Sequence, residues 1–449
     1  SSIEPKRLQQ SRSRPLMEYM AVETGASLYE SSWTAHGRIS ELVKSSTFAS
    51  VWAEFDASLA QKLAETRVTD EEARLTSNCL QELMLVAPDL GQGWGVRAFG
   101  STCNGFARHG SDLDATCCRA SSMDLPEPFL PDLLEDMARL LEEQPNFTIV
   151  EKVMSARIPI LRMKFRQVLD VDLSLQNIEP LPNTQLLRSY VSLDTCIRDL
   201  GVLVKLWAHA AGVCGAQQGH LSAYSFTLMV IYFLQVDPDL RLPVLPTARF
   251  DGSATTPPHP HSWRCGLGMA QMLCRFFIFF AEQFQWGSEV VSVRTGRRLS
   301  ASDDTFSELR GRFASRLHVE DPFLLHRNLQ CALRPEQEKE LNTKLWEAAQ
   351  AFRQGLLPVG LQASPDTRHQ IDVGIQMPIK EDRKTAPSGH FKKLSQPNGD
   401  EHGLVLAMQN ASKECHESDS ESTRCTLDGP GEGAKASAPA AEDVPVTLL

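Results

Sequence analysis

Two segments of this chain carry residue types and spacings suited to chemistry on phosphates. The first is FGSTCNGFARHGSDLDATCC from Phe99, in which Ser111-Asp112-Leu113-Asp114 begins eleven residues after Gly100-Ser101. A glycine where a strand ends lets the backbone approach a polyanion. A serine hydroxyl and the free N–H groups of a following helix then favour negative charge there. The one-residue gap between Asp112 and Asp114 aims both carboxylates at one face of a strand, where they repel each other unless a cation lies between them. Mg²⁺ suits such a pair, because it takes a few carboxylates and completes its shell with water and phosphate oxygens. A third acid comes from VLDVDLSLQN, where Asp172 sits between Val171 and Leu173 and is held toward the sheet centre. Asp170 competes for that place, since alternation puts both on one face. The plainer alternatives are a turn at Gly100-Ser101, a solvated strand end at DLD and an edge residue at Asp172.

Convergence of these acids requires strands. WGVRAFG, LDATCC, FTIVEKV, ARIPILRMKF and VLDVDLSLQ are short alternating or β-branched runs separated by turn residues, interrupted by a helical PDLLEDMARLLEEQ from Pro131. Helical spacing precedes them from Glu41 to Leu90. It resumes over Leu186–Ala211, Ser222–Gln235, Met269–Phe284 and Pro335–Arg353. EVVSVRTGRRLS reads as a hairpin about Thr295 and Gly296. The expected organisation is a flexible leader over 1–40, a sheet domain over 41–184 whose first helices can pack on the later half, and a helical domain over 185–358. A mostly disordered acidic tail, poor in aromatics, follows over 359–449.

The 449 residues are 42% hydrophobic and 22% charged, enough to build a sizeable core. The net charge of −11 excludes a uniformly basic nucleic-acid binder, so contact with a polyanion must be local. Ten acidic and three basic residues lie beyond position 399, which leaves −4 for the rest. Eleven cysteines without a CxxC pair do not describe a secreted disulfide framework and favour a reducing compartment. The apolar runs Tyr224–Val236 and Phe276–Ala281 are shorter than the ~20 residues of a membrane span. A soluble, cytoplasmic protein is expected. The Ser- and Arg-rich opening SSIEPKRLQQSRSRPL keeps a mitochondrial or other organellar location as the alternative.

The order GS, DxD, then a third Asp on a later strand resembles the DNA polymerase β-type nucleotidyltransferase superfamily. NTQLLRSYVSLDTCIRDLGVLVKLWAHAAG, GHLSAYSFTLMVIYFLQ, VSVRTG and VEDPFLLHRNL narrow the resemblance to the noncanonical poly(A) polymerases and terminal uridylyltransferases, over about Glu41 to Leu356. It implies an α+β fold: a polymerase β-like nucleotidyltransferase sheet domain, followed by a mainly helical poly(A)-polymerase-associated central domain. The implied reaction is template-independent addition of AMP or UMP, from ATP or UTP, to an RNA 3′ end. Asp112 and Asp114 would bind two Mg²⁺ (or Mn²⁺) ions, with Asp172 completing the catalytic metal site and helping to deprotonate the 3′-hydroxyl. Gly100 and Ser101 would hold the β- and γ-phosphates, and Lys205 would add a cation there. Asn183 would touch the ribose 2′-hydroxyl, and Tyr224 would stack on the base, a contact worth roughly 1–3 kcal/mol.

The chain departs from the family pattern at three positions. His209 stands where a second lysine is usual, and Ala223 stands where a serine commonly precedes the stacking tyrosine. Ser222 is the candidate to replace that hydroxyl, although a helix would turn it about 100° away. Arg327 stands where uridylyl-transferring relatives often carry histidine. Glu320 and Asp321 are candidates for a base edge, or for an N-terminal helix cap before Pro322. Arg294, Arg297 and Arg298 would cluster at the hairpin, either on RNA phosphates or in solvent. His259, His261 and Cys265 form a weak metal pattern in a proline-rich loop. Lys380 to Lys393 is a second basic stretch. The chain has no RNP-type strand signature or zinc-knuckle spacing, so RNA choice is expected to depend on an RNA-binding partner protein. The competing functions are a noncatalytic RNA-binding or scaffold member of the fold, and a nucleotidyltransferase with a small-molecule or 2′-5′ acceptor.

Overall fold

Alternation along the strands decides which face of the sheet is buried and which is left for chemistry. The computed structural model describes residues 49–119, 130–154, 156–250 and 263–362. The leader, the acidic tail with its basic stretch, and His259 and His261 lie outside the described residues. Helix α1 (Ala49–Glu65) is followed by α2 (Asp70–Val86). The start of α2 is a capping box: Glu72 N–H donates to Thr69 Oγ1 at 3.2 Å and Thr69 N–H donates to Glu72 Oε2 at 2.9 Å. Such a cap is worth about 1 kcal/mol. The other oxygen of the same carboxylate accepts from Gly110 N–H at 2.8 Å, so the cap also anchors the loop that leads into Asp112.

The sheet follows: β1 (Trp94–Phe99), the short helix α3 (Ser101–Asn104), β2 (Leu113–Arg119), α4 (Leu130–Glu142), β3 (Phe147–Val153), β4 (Ile160–Phe165) and β5 (Leu169–Leu175). Its five strands run in the order β1-β2-β5-β4-β3; β2 and β5 are parallel and the other neighbours antiparallel. Leu113, Ala115 and Cys117 of β2, Leu161, Met163 and Phe165 of β4, and Val171 and Leu173 of β5 are buried in a core shared with Cys79 and Leu83 of α2 and Leu134, Met137 and Leu141 of α4. The even-numbered residues of β2 and β5 therefore face the other way. In the parallel register Asp114 stands beside Asp172.

A second core is helical. It is built by α5 (Pro180–Val191), α6 (Thr195–Ala210), α7 (Ala223–Val236) and α8 (Met269–Ile278), with Leu59 of α1 and Phe106 of the loop before β2 among its members. The α+β reading thus holds: a mixed five-stranded sheet is followed by a helical region. The continuous helix expected over Leu186–Ala211 is two helices, because Asp194 takes an extended backbone and caps α6, accepting from Cys196 N–H at 3.0 Å. The helix expected over Met269–Phe284 ends at Ile278 and passes into a π-turn over Phe279–Gln283.

The hairpin about Thr295 is reduced to one antiparallel bridge, Glu289 with Ser300. Its first strand instead forms β6 (Val290–Val291), which pairs in parallel with β7 (His318–Val319). Neither Arg294 nor Arg298 extends as a basic tip: Arg294 Nη2 lies 2.6 Å from buried Glu320 and Arg298 Nη2 lies 2.7 Å from buried Glu289. An arginine fork satisfies a buried carboxylate, which would otherwise carry a large desolvation cost. Arg297 alone of the three is exposed. The last helix, α9 (Pro335–Arg353), packs Leu341, Leu345 and Phe352 into the helical core. No helix among the described residues is long and apolar enough to cross a membrane.

Candidate active site

Between the polar sheet face and the helical core lies a cleft of about 1000 Å³. Gly100, Ser101, Asp112, Asp114, Asp172, Asn183, Lys205, His209, Ser222, Tyr224, Asp321 and Arg327 all line it. Oxygens of Asp112, Asp114 and Asp172 lie within 4.8 Å of one another. Asp112 stands one residue before β2 rather than within it, and is exposed. Asp170 lines the same cleft, but its carboxylate is taken by Lys164 at 2.7 Å, so geometry selects Asp172 as the third member.

The trio is electrostatically strained without a cation. Burial, with repulsion from Asp112 and Asp172, pushes the Asp114 carboxyl from 3.8 up to about 7. Burial raises Asp172 too, against the pull of Arg162, whose Nε lies 4.0 Å from it. Glycine at position 100 makes room for this arrangement: a Cβ there would collide with Asp114 Oδ2. Oxygen donors at this spacing, with excess negative charge, fit Mg²⁺ or Mn²⁺. The ligands must be ionised to bind, so a cation has to displace the Asp114 proton below pH 7. Mg²⁺ affinity is therefore expected to fall as pH drops through 7, with about one proton released per binding event at pH 6. Calorimetric titration in buffers of different ionisation heat measures that release.

Beside the carboxylates, Gly100 takes φ 72° and ψ −156°, and its N–H donates to Thr184 Oγ1 at 3.1 Å. That bond ties the Gly-Ser turn to α5, the helix that carries Asn183. Tyr224 donates its hydroxyl to Asn183 Oδ1 at 2.5 Å. Lys205, deep in α6, donates to Phe106 O at 2.9 Å. Burial and the nearby Arg108 charge bring its ammonium down to about 8. His209 is lowered from its ordinary value by burial, Arg108 and Lys205.

Ser222 is the extended N-cap of α7, not a residue turned away on the helix, and its Oγ accepts from Ser225 N–H at 3.2 Å. Asp321 caps a turn rather than a helix, accepting from Phe323 and Leu324 N–H at 3.1 and 3.2 Å. Its other oxygen lies 3.7 Å from Arg327. Glu320 is bound by Arg294 and by Ser292 at 2.6 Å and does not line the cleft. Cys265 bonds to Leu267 O and Met272 Sδ, within the helical core.

Arg108, Arg162, Glu179 and Thr184 also line the cleft and went unnoticed in the sequence. Arg108 had a signal, being a basic residue in the short loop between GS and DLD. Arg162 had none, because only the β4–β5 register sets it beside Asp172.

The comparisons with known proteins agree with this geometry. A domain described as "Poly(A) RNA polymerase, mitochondrial-like, central palm domain" matches residues 55–192, and "Cid1 family poly A polymerase" matches residues 268–327. The poly(A) RNA polymerase GLD2-A of Xenopus laevis is 30% identical over 243 residues, covering 50% of this chain and 45% of that protein. Terminal uridylyltransferase 4 of Homo sapiens is 27% identical over 253 residues, covering 51% of this chain and 15% of that protein. The chain thus spans less than half the length of either. Among solved structures, the Cid1 poly(U) polymerase with Mg and 3′-dATP bound superposes with a TM-score of 0.55 at 23% identity, covering 67% of this chain and 94% of that one.

Proposed function

This chain belongs to the noncanonical poly(A) polymerase and terminal uridylyltransferase family, and from that premise we propose that it extends RNA 3′ ends without a template, using ATP or UTP. The observation that carries the reading is the meeting of Asp112, Asp114 and Asp172 within 4.8 Å on the wall of a cleft large enough for a nucleotide. The Cid1 structure with Mg and 3′-dATP supports a divalent cation as the partner of such a site.

Asp112 and Asp114 would hold two divalent ions, with Asp172 completing the site on the primer side. When bound, the ions supply positive charge for the attacking and leaving oxygens of an in-line displacement at the α-phosphate. Asp172 offers a carboxylate oxygen to the proton of the RNA 3′-hydroxyl, and burial makes it a better base than a free aspartate. Gly100 brings backbone close to the β- and γ-phosphates, Ser101 adds a hydroxyl, and Lys205 adds charge. The Tyr224 bond occupies the Asn183 carbonyl oxygen, which leaves the amide N–H groups of Asn183 to donate to a ribose 2′-hydroxyl. The Tyr224 ring stacks on the base. Asp321 and Arg327 border the base edge, with Ser222 and His209 at the rim of the nucleotide pocket. An RNA-binding partner would choose the RNA, and the ring contact of Tyr224 leaves base choice to the groups around the base edge.

The test is incubation of the purified chain with a labelled oligoribonucleotide and each nucleoside triphosphate in turn, with Mg²⁺ or Mn²⁺. Extension with ATP or UTP is expected. No extension with any triphosphate under either metal would overturn the reading.

A further inference from the structure

Five basic side chains line the catalytic cleft: Arg108, Arg162, Lys205, His209 and Arg327. Arg162 is bonded to Glu151 at 2.7 Å and leans on Asp172. Arg327 is paired with Asp321. The Lys205 ammonium is buried and bonded to the Phe106 carbonyl, and burial and neighbouring cations lower both its pKa and that of His209. Arg108 differs from the other four. No carboxylate lies within 4.0 Å of its guanidinium among the described residues, and it is half-buried.

The loop that carries Arg108 is held on both sides. Its N–H donates to Ser111 Oγ at 3.0 Å and its carbonyl accepts from Ser111 N–H at 3.0 Å. Two residues earlier, Phe106 is fully buried and receives the Lys205 ammonium. The Arg108 guanidinium and the Lys205 ammonium thus lie near enough to repel, with His209 beside them and neither cation in an ion pair among the described residues. Like charges brought together in this way destabilise one another unless a polyanion neutralises them. The carboxylate trio lines the same cleft, so a triphosphate lying along it would meet these cations at one end and, at the other, the divalent ions that the trio would hold.

We propose that Arg108 is the fixed cation of the triphosphate subsite, holding the terminal phosphates of the incoming nucleotide beside Lys205. The inference rests on the nucleotidyltransferase reading and assigns a phosphate-binding residue outside the elements that carry the other candidates. A guanidinium fork matches phosphate oxygens two at a time, and a charge-assisted bond of this kind accounts for roughly a 10- to 100-fold change in affinity.

The experiment measures binding of ATP, ADP and AMP, and of the matching uridine nucleotides, by calorimetry in Mg²⁺. Wild type is compared with Arg108→Gln, Arg108→Lys and the double variant Arg108→Gln/His209→Lys, with thermal melting as the check on folding. Arg108→Gln should weaken triphosphate binding roughly 10- to 100-fold and leave monophosphate binding unchanged. Arg108→Lys should fall between wild type and Arg108→Gln, and the double variant should recover part of the loss. An equal effect on tri- and monophosphate, no effect on either, or no triphosphate binding by wild type would overturn the assignment of Arg108. Wild type that binds triphosphate yet never extends RNA would instead overturn the functional reading and leave this comparison intact.

Discussion

Asp114→Asn is expected to lower RNA 3′-extension by at least roughly 10³-fold while leaving the protein folded. The substitution keeps the shape of the side chain and removes the charge that a divalent ion would require. It also removes a repulsion. Because burial and the neighbouring acids raise the Asp114 pKa from 3.8 to about 7, the native state holds this carboxylate at a cost on the order of 4 kcal/mol above pH 7. An acid whose native pKa is raised lowers stability progressively as pH rises from its unfolded value to its folded one, and fully above the latter. In chelator-treated buffer at pH 8 the variant should therefore melt above wild type, and the gap should close as pH falls from 7 toward 4. Loss of extension with raised melting temperature separates a catalytic role from a structural one. A variant that retains extension, or melts lower at pH 8, would contradict the site.

The second large effect is expected at Gly100→Ala. The backbone there, φ 72° and ψ −156°, lies in a region open essentially to glycine alone, and forcing a side chain into it costs about 1–3 kcal/mol. The added methyl would also collide with the Asp114 carboxylate, the candidate metal ligand that meets Asp112 and Asp172. Both the Gly-Ser turn and the carboxylate must then shift, and extension should fall roughly 10²-fold or more, since a displacement of about 1 Å at a reacting centre has that effect. Gly212→Ala is the control. Gly212 also has positive φ, at 73°, but nothing lies within 4 Å of the position its Cβ would take. That variant should lose stability by a similar backbone term and keep its rate of extension. Equal losses of extension at the two positions would show that backbone strain alone, and not crowding of Asp114, accounts for the Gly100 effect.

Much of the site was legible because its signals are local. Gly100-Ser101 marks a sharp strand end, the one-residue gap places Asp112 and Asp114 together, and alternation in β5 puts Asp170 and Asp172 on the polar face whatever the partners of that strand are. Helix positions were legible for the same reason. The boundaries were not: Asp194 divides one expected helix into two because a carboxylate cap competes with continuation, and Val290–Val291 chooses a parallel partner far along the chain over its own hairpin. The pairing of Arg294 with Glu320 followed from that choice, while Arg298 took Glu289 across its own hairpin. Each found a buried partner that no spacing rule reveals.

Residue types and short spacings, then, were enough to identify an acid cluster beside a Gly-Ser turn on a sheet followed by helices, since both signals repeat every two to four residues along the chain. The choice of Asp172 over Asp170 required the parallel pairing of β2 with β5 and the capture of Asp170 by Lys164. The half-burial of Arg108 without a carboxylate partner, and the lowered affinity of Lys205 for its proton, likewise arose only when the loop before β2 packed against α6. Charge–charge energies depend on distances and burial between segments far apart in the chain, and folding sets both.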